Sequence, residues 1–259
     1  MKPSSLRFAR FRYGRRRGYA LVEGDLLRPI VGSPFGAWRS AEESVPLSRV
    51  RLLAPVRPSK ILAVALNYRS HLQQFDQSAA PPNPELFLKP PSAAIGPEEA
   101  IVLPAAAGRV DYEGELVAVI GRRARDLTPD EALAHVLGYT CGNDVSARDW
   151  QQGDLQWWRA KGCDTFAPIG PWIVTGLDPT NLELRTRVNG EVVQSINTSL
   201  LIYDVARLVS FASQAMTLEP GDILFTGTPG TTAPLKAGEV VEVDIGGIGV
   251  LRNPVETAL

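Results

Sequence analysis

The chain has 259 residues, 44% of them hydrophobic, which is enough for a substantial core in one large domain or in a domain with a small attachment. Its formal net charge of −1 and its pI of about 6.2 exclude a global field that would attract nucleic acid or an anionic membrane, so a small-molecule ligand fits better. No apolar run approaches the roughly 18 residues of a membrane span, and the first residues lack the apolar core of a secretory signal. We therefore expect a globular cytoplasmic protein without a nucleic-acid or membrane partner.

The chain begins with an arginine-rich segment, residues 6–18, with the sequence LRFARFRYGRRRG. Such a segment could be a nucleic-acid-binding patch or an organellar transit peptide. The aromatic residues beside the arginines, a glycine-bounded turn and the following YALVEGD favour a solvated β-hairpin instead. Further short strands with Gly and Pro turns continue as far as Pro55. We predict a small β-rich N-terminal domain over residues 1–55 and a larger domain over residues 56–259.

A continuous apolar run, KILAVALNY, starts at Lys60, and its length predicts a buried strand. The polar, proline-rich segment of residues 73–84 comes soon after His71 and lacks periodicity. It is a candidate lid over a site, with a plain connecting loop as the alternative. Two more strands are predicted in LFLKP and YEGELVAVIG, the second with alternation at its start.

Two helices interrupt this β pattern. Residues 128–131, TPDE, form a capping box with proline at the first helical position, and we expect Gly138 to end that helix. Apolar residues at helical spacing between Val205 and Met216 predict a second, amphipathic helix. Between the two helices, LELRTRVNGEVVQSI is a predicted hairpin with an Asn-Gly turn, and GDILFTGTP and GEVVEVDIGGIGVL supply the final strands. The chain is expected to be mostly β with a few helices, in no βαβ order.

The two cysteines, Cys141 and Cys163, form no C-x-x-C pair and lie among neighbours that do not suit a metal. We expect both to be reduced, buried thiols, as is usual in cytosolic proteins. No disulfide framework is implied. His135 lies within the capped helix and is expected to be structural.

Three carboxylates are candidates for a metal site. Glu113 and Glu115 are two residues apart on a predicted strand, so both side chains leave the same face, which continues with apolar residues. Carboxylates at the end of a buried face need a cation, and Asp144 would complete an all-oxygen site suited to Mg²⁺ or Mn²⁺. By spacing alone the alternative is stronger, because Glu-x-Glu is common on solvated strand faces.

The sequence motifs around these residues are more distinctive than the spacing of the carboxylates. LNYRSH, LFLKP, DYEGELVAVIG, GYTCGNDVSARDWQ, KGCDTFAPIGPWIVT and GDILFTGTPG occur in this order over residues 60–230. This series closely resembles the fumarylacetoacetate hydrolase (FAH) superfamily over about four-fifths of the chain. The small leading domain is similar to the one found in bacterial members. The resemblance implies a mixed β-roll catalytic domain after residue 55, usually in a homodimer.

The resemblance also implies a function and a set of site residues. One Mg²⁺ or Mn²⁺ ion per chain would be held by Glu113, Glu115 and Asp144 and would act as a Lewis acid on the enolate of a 2-oxo or 1,3-dicarbonyl acid. Lys161 matches a lysine that stabilises developing negative charge, and His71 matches the catalytic base of the family. The positions that match substrate contacts are Arg148, Gln151, Lys89 and Thr228. Taken singly, Lys161 and Arg148 would more simply be surface residues, although only five of the 27 basic residues are lysines.

The chain departs from the family pattern at one position. Hydrolytic members typically pair the histidine with a glutamate three residues later, and this chain has Gln74 there. A glutamine can orient the imidazole of His71, but it cannot stabilise an imidazolium as a carboxylate does. Decarboxylation and tautomerisation need no activated water. Gln74 therefore favours decarboxylation or tautomerisation over hydrolysis. It does not exclude hydrolysis, since Asp76 could take the place of the missing glutamate.

We expect an enzyme that cleaves a carbon–carbon bond in a small 2-oxo or 1,3-dicarbonyl acid through a metal-bound enolate, as an acylpyruvate hydrolase or an oxaloacetate-type decarboxylase. Alternatives within the family are an isomerase or decarboxylase of 2-hydroxymuconate-type acids, as in aromatic catabolism, and a ureidoglycolate lyase. A non-enzymatic alternative is a degenerate homologue that binds a metal and a carboxylic acid without turnover. A nucleic-acid-binding protein would need salt-sensitive binding through the N-terminal arginines.

Overall fold

The structure, a computed structural model, describes residues 5–72 and 79–258, so Gln74 and Asp76 of the candidate lid lie outside the described residues. The strands are β1 (Arg7–Tyr13), β2 (Arg16–Glu23), β3 (Leu26–Gly32), β4 (Trp38–Ser40), β5 (Val45–Pro46), β6 (Arg51–Leu53), β7 (Ile61–Ala65), β8 (Glu85–Lys89), β9 (Ala94–Ile95), β10 (Ile101–Leu103), β11 (Val110–Asp111), β12 (Gly114–Ile120), β13 (Val136–Asn143), β14 (Ser146–Ala147), β15 (Ala167–Val174), β16 (Glu183–Val188), β17 (Glu191–Asn197), β18 (Ile223–Phe225), β19 (Val240–Ile245) and β20 (Gly249–Thr257). The α-helices are α1 (Arg69–Leu72), α2 (Pro129–Ala132), α3 (Arg148–Gly153), α4 (Trp158–Gly162) and α5 (Val205–Ala215). Short 3₁₀ helices cover Leu47–Arg49, Pro91–Ala93, Leu133–His135 and Thr198–Leu200.

The strands form two large sheets and one small one. The main sheet has 13 strands, and its principal path runs β4-β3-β2-β1-β15-β13-β12-β18-β7-β8. A second sheet has the order β10-β20-β19-β16-β17, and β11 pairs with β14. The prediction of a mostly β fold with a few helices is confirmed, and the crossed strand order is that of a mixed sheet rather than of repeated βαβ units.

Strand β12 is the centre of the hydrophobic core. Leu116 packs in one buried cluster that also contains Leu208 of α5 and Val243 of β19, whereas Val117 packs in another with Phe225 of β18. Both faces of the strand are therefore covered, and all seven of its residues are buried. The alternation of polar and apolar residues at the start of this predicted strand therefore does not mark an exposed face, because both faces are covered.

The predicted N-terminal hairpin is confirmed. β1 pairs antiparallel with β2 around a turn at Gly14, which has φ +56°. Phe8 and Phe11 of β1 are buried in two different apolar clusters, so both faces of the strand are partly covered and the hairpin is less solvated than expected. β1 also pairs with β15, where Arg7 and Phe8 lie opposite Val174 and Ile173, which joins the N-terminal strands to the main sheet.

The predicted first helix is shorter than expected. Its capping box is present, since the side chain of Glu131 accepts a hydrogen bond from the backbone N–H of Thr128 at 2.9 Å. The helical turns end at His135, however, and Gly138 lies inside β13, opposite Val119 of β12. A Cβ at residue 138 would come 2.3 Å from the carbonyl oxygen of Val174 in β15. Glycine is needed there for the close approach of two strands and does not cap a helix.

The other local predictions are largely confirmed. The Asn189-Gly190 turn joins β16 to β17 with φ +51° and +84°, and α5 occupies the predicted amphipathic segment. Cys141 is a buried free thiol as expected, whereas Cys163, also free, is only half-buried at the residue that follows α4. The Nδ1 atom of His135 bonds the carbonyl of Arg123 at 3.0 Å. Among the described residues, no helix is long and apolar enough to cross a membrane.

The position of Gly138 supplies a test of the fold. Gly138→Ala should lower the free energy of unfolding by about 1–3 kcal/mol, because the added methyl group meets backbone that cannot move without disturbing β15. Gly153→Ala is the control, since a Cβ at that position has no atom within 4 Å. Urea denaturation measures both. If Gly138→Ala unfolded at the same urea concentration as the wild type, the strand pairing at this position would be wrong.

Candidate active site

The pairing of β12 with β13 brings the three predicted carboxylates together. Glu115 lies opposite Gly142 in this pair, and Asp144 directly follows β13, with its backbone N–H donating to the carbonyl of Glu113 at 2.8 Å. One carboxylate oxygen from each of the three residues lies within 4.8 Å of the other two. All three are buried, with at most 4% exposure, so the solvated strand face is excluded. Glu113 precedes β12 and does not belong to it, which corrects the predicted strand boundary.

Two buried lysines neutralise part of this negative charge. Lys161, on α4, donates to Glu113 Oε2 and to Asp144 Oδ2, each at 2.8 Å. Lys89, the last residue of β8, donates to Asp144 Oδ1 at 2.5 Å. Burial alone would lower the pKa of Lys161, but Asp144 and Glu113 raise it, so this lysine is held charged; burial lowers the pKa of Lys89. Neither lysine is a surface residue.

Arg148 is the third cation and is also buried. Its Nη2 atom lies 2.6 Å from Glu113 Oε1, and its Nε atom donates to Asp111 Oδ2 at 2.9 Å. Its Nη1 atom donates to Gln151 Oε1 at 2.7 Å. Asp111 was not predicted, although it continues the spacing of Glu113 and Glu115 by two residues towards the N-terminus. Since Gln151 uses its oxygen to hold Arg148, its amide nitrogen is the part suited to a ligand.

Glu115 differs from the other two carboxylates in its compensation. It accepts a hydrogen bond from the backbone N–H of Gly227 at 2.6 Å, but no lysine or arginine within the described ranges pairs with it. Burial, together with the carboxylates of Asp144 and Glu113, raises its pKa well above the ordinary value. The hydroxyl of Tyr68, which is close enough to Glu115 for the two to interact electrostatically, is buried without a hydrogen-bond partner among these residues.

These features fit a divalent cation. Three clustered carboxylates, one of them uncompensated, repel one another, and a cation would relieve that repulsion. An all-oxygen donor set suits Mg²⁺ or Mn²⁺. Glu113, Glu115 and Asp144 are the residues that would hold it.

His71 is placed by α1, and its ring orientation is set by a backbone contact. Its Nδ1 atom lies 2.7 Å from the carbonyl oxygen of Gly230, and since a carbonyl can only accept, Nδ1 carries the proton. In the neutral ring Nε2 is then the basic nitrogen. Burial lowers the pKa of His71 from its ordinary value of 6.5, so the neutral base dominates at pH 7.

A cavity of about 250 Å³ joins His71 to the charged cluster. Its walls combine charged and amide groups with apolar and aromatic ones: Val64, Ala65, Leu66, His71, Glu113, Arg148, Gln151, Gln152, Trp157, Lys161 and Thr228. Six of the nine predicted site residues therefore line one cavity. Lys89, Glu115 and Asp144 do not line it and connect to it through Lys161 and Glu113.

The segment at Thr228 is held by residues that the sequence did not single out. The hydroxyl of Thr228 donates to the carbonyl of Gly114 at 3.1 Å and accepts from Gln194 Nε2 at 2.9 Å, so its proton is already engaged. Gly227 has φ +99°, and a Cβ there would come 2.7 Å from Cβ of Asn67. Glycine is required at this position, which lets the chain approach Glu115 closely.

Comparison with known proteins agrees with the motifs. The family model described as fumarylacetoacetate (FAA) hydrolase C-terminal matches residues 60–256, and the model described as Rv2993c-like, N-terminal matches residues 6–55. The chain therefore belongs to the fumarylacetoacetate hydrolase family, and the resemblance noted in the sequence is confirmed.

Individual relatives cover nearly the whole chain. Protein Rv2993c of Mycobacterium tuberculosis is 49% identical over 92% of this chain and 93% of its own. The rat mitochondrial oxaloacetate tautomerase Fahd2a is 42% identical over 82% of this chain and 71% of its own.

Two solved structures are informative about the range of reactions. A 5-carboxymethyl-2-hydroxymuconate delta-isomerase from Mycobacterium smegmatis has 48% identity and a TM-score of 0.92, covering 97% of this chain and 100% of its own. A maleylpyruvate hydrolase from Sphingobium sp. SYK-6, in complex with manganese(II) and pyruvate, has 32% identity and a TM-score of 0.81, covering 98% of this chain and 100% of its own. The family thus includes isomerases, tautomerases and hydrolases.

The uncompensated charge on Glu115 predicts how metal binding depends on sequence and pH. Mn²⁺ should raise the melting temperature, and Glu115→Gln should weaken its apparent affinity at least tenfold, whereas Glu191→Gln, on the exposed end of β17, should not. Because the pKa of Glu115 is raised, a proton competes with the cation at this carboxylate, and affinity should increase with pH. Thermal unfolding over a Mn²⁺ titration at several pH values measures this. An affinity independent of both Glu115 and pH would contradict the site.

Lys161 supplies a second test. Lys161→Met should leave Mn²⁺ binding largely intact but lower turnover by a factor on the order of a hundred, comparable to losing one oxyanion donor. In chelator the same variant should lose about 3–5 kcal/mol of stability, because Glu113 and Asp144 lose a buried partner. Lys236→Met, at an exposed lysine, is the control. A normal rate in Lys161→Met would show that Lys161 takes no part in the reaction.

Proposed function

We propose that this protein is a divalent-metal-dependent enzyme that moves a proton on a small 2-oxo dicarboxylic acid, interconverting the keto and enol forms of an oxaloacetate-like substrate. The observation that carries the proposal is the shared cavity. A neutral His71 with a basic Nε2 lines the same space as Lys161 and Arg148, so a base and the cations that favour an enolate face one substrate.

The size and lining of the cavity support a small anionic substrate. A volume of about 250 Å³ lies just below the usual range for ligand pockets and suits an acid of a few carbon atoms. The amide nitrogen of Gln151 and the guanidinium of Arg148 would bind a carboxylate, while Trp157 and Leu66 limit the length of the carbon chain. Lys89, which contacts Asp144, would act on charge balance and would not touch the substrate.

Each group of residues would have a different role in the reaction. His71 would take a proton from the carbon next to the 2-oxo group and return a proton to the enolate oxygen, so no atom is gained or lost. Lys161 and Arg148 would favour the negative charge that develops between these two transfers. A divalent cation held by Glu113, Glu115 and Asp144 would polarise the 2-oxo group as a Lewis acid.

Cleavage of a carbon–carbon bond, the reaction expected first from the sequence, is the second candidate. An enolate is also the product of decarboxylation and of acylpyruvate hydrolysis, and a maleylpyruvate hydrolase shares the fold at 32% identity. The oxaloacetate tautomerase, at 42%, favours proton transfer. Gln74, in place of a glutamate, supports the same preference, because proton transfer needs no activated water. A homodimer and a cytoplasmic location are part of the proposal.

A substrate screen tests this order of preference. The purified protein with Mg²⁺ or Mn²⁺ is assayed against oxaloacetate for tautomerisation and decarboxylation, and against acetylpyruvate, fumarylpyruvate and ureidoglycolate for cleavage. The fastest metal-dependent reaction should be enol-to-keto conversion of oxaloacetate. Faster hydrolysis of an acylpyruvate would make cleavage the main function, and no turnover of any of these compounds would favour a binding protein.

Substitutions at His71 and Gln74 separate proton transfer from cleavage. His71→Ala should slow tautomerisation and hydrolysis far more than decarboxylation, because only the first two use the base, and His135→Ala is the control. Gln74→Glu should raise the basicity of His71 and improve hydrolysis of acetylpyruvate, with little change in oxaloacetate decarboxylation. Rates on both substrates are measured side by side. Equal effects on both would indicate that these residues act in binding or closure.

A further inference from the structure

A second concentration of charge lies on the N-terminal strands, away from the candidate active site. A cleft of about 540 Å³ is lined by five arginines: Arg10 and Arg12 of β1, Arg17 of β2, Arg51 of β6, and Arg57 in the loop before β7. We call it the arginine cleft. None of its lining residues belongs to the cavity of His71 and Lys161. A chain with a formal net charge of −1 thus concentrates positive charge in one place.

The strand register places three of these arginines in one row. Arg12 lies opposite Arg17 on one side, through the pairing of β1 with β2, and opposite Arg51 on the other, through the pairing of β1 with β6. Side chains directly opposite one another on neighbouring strands share a face of the sheet and lie close together. Like charges in such positions destabilise the sheet, so the row is not explained by the folding of the hairpin.

Little negative charge compensates the five arginines of the cleft. Glu99 is the only acidic residue among those that line it, and it is held by Arg51 Nη2 at 2.8 Å and by the backbone N–H of Gly96 at 2.7 Å. Arg10 is partly buried, and its Nη1 atom donates to the carbonyl of Ala54 at 3.2 Å. Five guanidinium groups against one carboxylate leave a net charge of +4 on the lining.

Another wall of the cleft lies close in sequence to the candidate active site. It consists of Pro91, Ser92, Ala94 and Glu99, in the segment that directly follows Lys89. Pro90, between that wall and Lys89, packs closely on α4, since a Cβ at Gly162 would come 2.7 Å from Pro90 Cδ. An anion bound in the cleft would therefore contact residues that begin two positions after Lys89, whose side chain bonds Asp144.

We propose that the arginine cleft is a binding site for a small, multiply charged phosphate anion, distinct from the substrate cavity. Guanidinium groups bind phosphate oxygens through two parallel hydrogen bonds, and they do so without a large desolvation cost. The volume accommodates a diphosphate or a phosphorylated metabolite, and an anion of charge −3 or −4 would neutralise the lining. The anion would also relieve the repulsion along the row of Arg12, Arg17 and Arg51.

Calorimetric titration of the full-length protein with inorganic pyrophosphate tests the proposal. We expect saturable binding of one pyrophosphate per chain, weakened at least tenfold by Arg12→Gln and by Arg57→Gln. Arg207→Gln, at an exposed arginine of α5, should bind as the wild type does, and so should Glu115→Gln, which removes a proposed metal ligand. Without pyrophosphate, Arg12→Gln should melt at the same temperature as the wild type or higher, because a like charge is removed from the row.

Other results would overturn the proposal. Binding that does not saturate, or that Arg207→Gln weakens as much as Arg12→Gln, would indicate only a general attraction of anions. Citrate binding as tight as pyrophosphate binding would refute the preference for phosphate. Binding of an RNA oligonucleotide but not of pyrophosphate would make the cleft a nucleic-acid surface. A dimer that Arg12→Glu dissociates, in a protein that binds no pyrophosphate, would make it a subunit interface. None of these outcomes depends on the proposed tautomerase activity.

Discussion

The ion pairs among Glu113, Asp144 and Lys161 are the interaction on which the candidate site depends. Each ion taken out of water costs several kcal/mol unless a partner of opposite charge compensates it, so carboxylates at the end of a buried strand pair require nearby cations. α4 supplies Lys161, β8 supplies Lys89 and α3 supplies Arg148. The short helices α3 and α4 and the end of β8 thus bring positive charges to the carboxylates beside β12 and β13.

This charge balance is complete at two carboxylates and incomplete at the third. Glu113 keeps its pKa well below the ordinary value despite burial, because Lys161 and Arg148 contact it, whereas the pKa of Glu115 is raised. A site with one uncompensated carboxylate is less stable by itself than a fully paired one, and it is correspondingly ready for a cation. Function and stability are thus opposed at Glu115, in the way expected of residues that bind a ligand.

The arginine cleft shows the same principle with the opposite sign. The pairing of β1 with two neighbouring strands aligns Arg12 with Arg17 and Arg51, and Glu99 compensates only part of that charge. Both concentrations of charge border the segment that runs from Lys89 to Glu99. This segment links the arginine cleft to the candidate active site along the chain.

The sequence by itself determined the features that depend on neighbouring residues: the capping box at Thr128, the turn at Asn189-Gly190 and helix α5, because local backbone geometry decides them. Ordered motifs also identified the family and predicted nine candidate site residues. Only the tertiary structure decided the rest. Gly138 is a glycine because a third strand, distant in sequence, approaches it, and the arginines form one cleft because of strand register. Burial of Glu113 and Glu115 likewise follows from strands and helices that spacing alone cannot position.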